Sequence, residues 1–121
     1  IGCALEQVVV TRVLVAGRDT ATALLPGDRA LDHAKAARAL GVPRTRDAYD
    51  DEIAARTGFA ASSVPPFPTA LTETVLVERL LLALPVVWAS AGSPRHVVML
   101  APAELLRLAR GSAVDVAGDS A

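Results

Sequence analysis

Apolar residues come in short blocks separated by turn chemistry. Residues 7–17, QVVVTRVLVAG, are β-branched and apolar over most of their length, which predicts a largely buried strand. The turn Gly17-Arg18-Asp19 leads to a second strand over residues 20–25, and the two are expected to pair as a hairpin. Pro26-Gly27-Asp28 is turn chemistry. Leu31, Ala34, Ala37 and Leu40 then recur at helical spacing and predict a helix over residues 31–40 with those four as its buried stripe. Asp28 or Asp32 is its candidate N-cap, and Gly41-Val42-Pro43 its stop. A second helix is expected over residues 48–56. Asp47 would cap it, Asp50 and Asp51 would favour its N-terminal dipole, and Arg56 would suit its C-terminal end.

Residues 57–67, TGFAASSVPPF, break the periodicity. Gly58 can take a positive φ and end the preceding helix. The small residues 60–63 let backbone approach a ligand closely, and Pro65 and Pro66 make a stiff, extended exit. Residues 74–84 are ambiguous: TVLVE reads as a strand, ERLLLAL as a helical turn leading to Pro85. Strands are expected over residues 86–90 and 96–100, joined by a turn at Ala91-Gly92-Ser93-Pro94. Residues 102–110 read as a helix with Pro102 in its first turn, Glu104 early, Arg107 and Arg110 late, and Gly111 as terminator. A short closing strand over residues 113–116 and a frayed end over 118–121 complete the reading. With no internal repeat and no linker, the expected fold is one α+β domain on a mixed sheet.

Composition narrows the function classes. A length of 121 residues with 52% apolar and 21% charged residues describes one globular domain. The most apolar run, residues 80–87, is interrupted by Pro85 and is too short to cross a bilayer, so a cytoplasmic location without membrane attachment is expected. A single Cys3 excludes an internal disulfide and a cysteine-rich metal site. His33 and His96 are too few and too far apart in sequence to argue for a metal, and no cofactor motif is present. A net charge of −1 disfavours non-specific nucleic-acid binding driven by overall charge, while leaving room for a local patch. The only lysine among twelve cations is Lys35.

LLPGDRALDHAKAARALG, TGFAASSVPPF, VVWASAG followed by SP, and LAPAELLRLARGSAVDVA occur in an order and spacing that resemble the YbaK family. That family comprises free-standing aminoacyl-tRNA deacylases and the editing insertion of bacterial prolyl-tRNA synthetases. The resemblance covers most of residues 7–117. It implies a curled mixed sheet with helices packed outside, and a partner in the tRNA 3′ end carrying an amino acid. It also implies hydrolysis of the ester joining a wrong amino acid to the terminal ribose. In the family a water attacks the carbonyl, a ribose hydroxyl helps activate it, loop amides stabilise the oxyanion, and a strand lysine anchors the substrate. The family usually has a further helix and strand before the position of Ile1, so residues 1–121 are expected to be a trimmed form of the domain.

The two most functional features differ from the family pattern. The lysine position falls on Val10, followed by Thr11, and the loop's glycine pair falls on Ser62 and Ser63. The glycine after the family's proline falls on Pro68, whereas Gly58, Pro65 and the Gly92 turn are kept. The resemblance therefore marks Ser62, Ser63 and Gly92 as catalytic candidates. Val10, Arg12, Gly58, Phe59, Val64, Pro65, Ser93 and His96 become substrate-binding candidates. Arg12 is an unexpected charge two residues from Val10, and strand geometry puts both on one face. It either replaces the lost lysine or extends to solvent; Val10 itself reads as a core residue. Thr11 is expected to face away from Val10, Trp88 to be core, His33 exposed, and Lys35 remote from the site. An active deacylase, a non-catalytic binding module and a relative acting on another aminoacyl ester or thioester all remain open.

Overall fold

The structure, a computed structural model, describes residues 5–58, 74–93 and 96–120. After a 3-10 turn, Leu5–Gln7, strand β1 (Val9–Ala16) pairs antiparallel with β2 (Asp19–Pro26) in continuous register from Val9↔Pro26 to Ala16↔Asp19. Gly17 takes φ 66° in the two-residue connection, a conformation that costs an L-residue with a side chain 1–2 kcal/mol. Then follow β3 (Arg29–Leu31), α1 (His33–Leu40), β4 (Arg46–Asp47) and α2 (Asp50–Thr57). The second half contains β5 (Thr74–Glu78), a 3-10 helix (Arg79–Ala83), β6 (Val87–Ser93) and β7 (His96–Leu100). It closes with α3 (Pro102–Ala109), β8 (Ser112–Val114) and β9 (Ala117–Ser120).

One five-stranded sheet runs in the order β4-β1-β2-β5-β8. The β4–β1 and β1–β2 pairs are antiparallel, and β2–β5 and β5–β8 are parallel, so the sheet is mixed as expected. Parallel pairing demands crossovers, supplied by the α1–β4–α2 segment and by the segment from the 3-10 helix through α3. Both faces are covered. Leu14, Ala21, Ala23, Leu25 and Leu76 pack against Ala36 of α1 and against Val116 and Ala117. On the opposite face Val9, Leu24, Val75 and Val77 pack against Leu81, the β6 residues Val87 and Ala89, and Leu105 and Ala109 of α3. Ile53 of α2 covers Val13. This is the helices-outside arrangement expected, because a sheet apolar on both faces needs a layer on each.

A buried carboxylate joins the two halves. Glu78, 1% exposed, ends β5 and accepts from Leu80 N–H at 2.6 Å through one oxygen. Its other oxygen accepts from Val116 and Ala117 N–H, both at 2.9 Å. All three partners are donors, which suits an acceptor-only carboxylate.

Several local expectations need correction. Helix α1 starts at His33, not at 31, because Asp32 is the cap: its Oδ1 accepts from Ala34 and Lys35 N–H at 3.0 and 3.1 Å. Ala34 is exposed, and Ala36 takes its place in the buried stripe beside Ala37. Asp47 does not cap α2. Tyr49 is the N-cap residue, and Glu52 reaches back to its N–H at 2.9 Å. Gly58 ends α2 at φ 78°, as read from the sequence. Residues 74–84 are a strand and then a 3-10 helix. Gly92 and Ser93 belong to β6, which pairs on to Ser93↔His96, so the turn sits later than expected, with Pro94 outside the described residues. The left-handed residue after α3 is Arg110 at φ 52°, not Gly111. Gly111 is needed for another reason: a Cβ there would lie 2.5 Å from Val77 Cγ2. The closing strand is Ser112–Val114, and Ala117–Ser120 is not frayed but pairs with β3. Trp88 is half-buried between the buried neighbours Val87 and Ala89, as strand alternation requires.

Glu78→Ala should destabilise the fold by about 2–4 kcal/mol, since it strands three N–H groups. Denaturant unfolding checks this, and a loss below 1 kcal/mol would remove Glu78 from its central role. Thr22 is 1% exposed and its hydroxyl has no partner among the described residues. Thr22→Val should therefore be neutral or stabilising by about 1 kcal/mol in the same assay.

Candidate functional site

Strand β4 has only two residues, and they face opposite ways. Arg46 pairs with Val15 and Asp47 with Leu14 in the ladder, so their side chains leave on different sides of the sheet. Arg46 turns towards α2. Its guanidinium makes a two-pronged contact with Glu52, at 2.8 and 3.0 Å, and lies 4.8 Å over the Tyr49 ring. That hydrogen bond, together with the one from Tyr49 N–H, holds the Glu52 carboxyl at about 2 against an ordinary 4.5.

Asp47 turns to the face that carries Val10, Arg12 and Leu14. Its Oδ1 lies 2.9 Å from Arg12 Nη2 and 3.4 Å from His33 Nε2 of α1. His33 Nδ1 is 2.8 Å from the Thr45 hydroxyl, which in turn donates to the His33 carbonyl at 3.2 Å. Arg12, Asp47, His33 and Thr45 thus form one polar chain from β1 to α1. His33 is part of this chain and not simply exposed, contrary to expectation. Arg12 and Asp47 side chains are 42% and 51% exposed, so the pair is weak in energy and open to exchange.

Val10 is not core: it is 36% exposed, on the same side as Arg12. Strand β4 pairs with β1 only at Leu14 and Val15, so that edge of β1 from Val9 to Arg12 has no ladder partner among the described residues. A cleft of about 220 Å³ opens there, lined by Thr11, Arg12, Val13, Asp47, Ala48 and Asp50, with Ile53 at its base. Thr11 therefore shares the cleft with Arg12 although it alternates with Val10.

The other candidates are placed by their elements. Gly58 ends α2, whose Ile53 borders the cleft. Gly92 and Ser93 lie in β6 and His96 in β7, with Ser93 and His96 paired. Strand β6 meets the chain beside β1 through a parallel bridge, Val8↔Trp88, so it continues in the same direction as β1. Phe59, Ser62, Ser63, Val64 and Pro65 lie outside the described residues. Lys35 is engaged at the other end of the chain. It is held by Asp115 at 3.0 Å and by the Ala117 carbonyl at 2.9 Å, and this hydrogen bond lowers the Asp115 carboxyl from its ordinary value. Sequence reasoning missed Asp47 and Asp50 as cleft residues, because both read as helix-start acids.

With this geometry the comparisons with known proteins are specific. Residues 1–108 match the model of the aminoacyl-tRNA editing domain, and the chain belongs to that family. It superposes with TM-score 0.89 and 33% identity on a provisionally assigned trans-editing enzyme for prolyl-tRNA synthetase, over 97% of this chain and 74% of that one. A protein from work on epitope backbone grafting onto scaffolds gives 0.88 and 32%, over 97% and 75%. A hypothetical protein gives 0.88 at 24% identity over 97% and 78%, which shows the fold alone. No curated protein gave a significant match. Among the described residues no helix is long and apolar enough to cross a membrane.

Glu52 yields a pH prediction. Its carboxyl is depressed, so the Arg46–Glu52 contact contributes in full above about pH 4.5 and is lost as pH falls towards 2. Carboxyl-carbon NMR should find Glu52 titrating at about 2, below its ordinary 4.5. An apparent value near 4.5 would mean that β4 and α2 are not clamped in solution.

Proposed function

We propose that the chain is an aminoacyl-tRNA deacylase acting in trans, hydrolysing the ester between a mismatched amino acid and the terminal ribose of a tRNA. The observation that carries the reading is Arg12. In a member of this family whose lysine position is Val10, a guanidinium stands on the same strand face, at an open cleft, held by a half-exposed carboxylate. A ligand phosphate or carboxylate can replace Asp47 as its partner, and Asp47 and Asp50 are then free to face the substrate's α-ammonium. In the step itself a water adds to the ester carbonyl, the carbonyl–oxygen bond to the ribose breaks, and the ribose hydroxyl leaves with a proton. Main-chain amides after Gly58 are the oxyanion donors this reading assigns, with Ser62 and Ser63 in the glycine positions.

A deacylation screen with a panel of charged tRNAs tests this. At least one mischarged tRNA should lose its amino acid faster than the uncatalysed ester. Arg12→Ala should weaken binding of that substrate by about 1–3 kcal/mol while changing stability by less than about 1 kcal/mol. Val10→Lys combined with Ser62→Gly and Ser63→Gly should raise turnover. The closed Arg12–Asp47 pair favours a second reading, a binding module without turnover. It predicts retained tRNA binding with no hydrolysis of any ester or thioester in the panel.

A further inference from the structure

The strongest unassigned surface is a groove of about 500 Å³ between α1 and the segment that follows it. Ala34, Ala37, Val42 and Pro43 make an apolar floor, and Arg38 and Arg44 stand along it, both exposed. No acidic residue lines this groove, and no ion pair engages either arginine among the described residues. Arg38 lies near enough to Asp115, beyond the groove, to help lower that carboxyl, yet Asp115 is already taken by Lys35. Most other described arginines do have partners: Arg12, Arg46, Arg79 and Arg107 bind carboxylates, and Arg29 binds a carbonyl. Two unpaired guanidinia in a groove without acids, on a chain of net charge −1, are a local anion site and not a by-product of overall charge.

The groove also adjoins the candidate site. His33 and Thr45 close its end, and His33 continues through Asp47 to Arg12 at the cleft. We propose that Arg38 and Arg44 bind backbone phosphates of the tRNA acceptor stem, and so align the RNA while its 3′ end enters the Arg12 cleft. This rests on the tRNA-deacylase reading and adds to it the surface that carries the RNA. The contacts are to phosphate, so they set affinity and register without reading sequence.

The test uses an uncharged acceptor-stem RNA hairpin ending in single-stranded CCA, titrated against the full chain at several salt concentrations. Arg38→Gln combined with Arg44→Gln should weaken binding about tenfold and flatten the slope of log affinity against log salt by roughly 2, near 0.9 per lost phosphate contact. Each single variant should give about half of that change. Arg110→Asn serves as control: it removes an exposed charge at the end of α3, on the other side of the sheet, and Asn tolerates the left-handed backbone there. Unchanged affinity and slope in the double variant overturn the proposal, as does an equal loss in Arg110→Asn or a wild-type chain that does not bind the hairpin. Hydrolysis of a charged tRNA by a double variant that binds as well as wild type would remove the groove and keep the deacylase. Arginine-dependent hairpin binding without hydrolysis of any charged tRNA would do the reverse.

Discussion

The Glu78 carboxylate is the interaction on which the rest of the structure leans. It ends β5, which lies between β2 and β8, starts the 3-10 helix that leads to one core, and gathers the backbone of Val116 and Ala117 into the other. The consequences run outward from there. Val116 returns a carbonyl to Asp32 N–H at 2.8 Å, and the Ala117 carbonyl receives Lys35. Helix α1 is thereby tied at its first turn to the far end of the chain, and α1 carries His33, Arg38 and the wall of the groove. A buried acid satisfied by three main-chain donors is costly to interrupt and hard to replace, which is why one side chain can organise so many elements.

Strand β4 does for the site what Glu78 does for the core. Two residues on an edge send Arg46 to α2 and Asp47 to Arg12, because neighbouring strand positions face opposite ways. The ladder to β1 stops after those two pairs. Among the described residues the β1 edge from Val9 to Arg12 has no ladder partner, and a cleft with α2 as one wall lies beside Arg12. The Arg12–Asp47 pair keeps that arginine in place without burying it, so its exchange for a ligand costs little.

The family assignment and the altered residues are compatible on physical grounds. The fold depends on sheet register, the packed cores and Glu78, and the Val10 side chain, 36% exposed, belongs to none of the cores. Chemistry at the opening can therefore drift without disturbing the scaffold. Val10 stands on an exposed face, so core packing does not fix its identity.

Alternation and helical spacing by themselves determined the β1–β2 hairpin, the mixed α+β class, helices near α1, α2 and α3, and the αL stop at Gly58, because each follows from local sterics and local burial. The family motifs carried the family assignment and the mixed-sheet fold. Tertiary structure decided the remainder. Asp47 looked like a helix cap until β4 paired with Leu14 and turned it to Arg12; no local signal distinguishes the two uses of an aspartate before a helix. The last residues looked frayed until β3 offered them a partner. Gly111 looked like a terminator until Val77 came within reach of its missing Cβ. In each case the deciding neighbour is distant in sequence, so its free energy enters only once the chain has closed on itself.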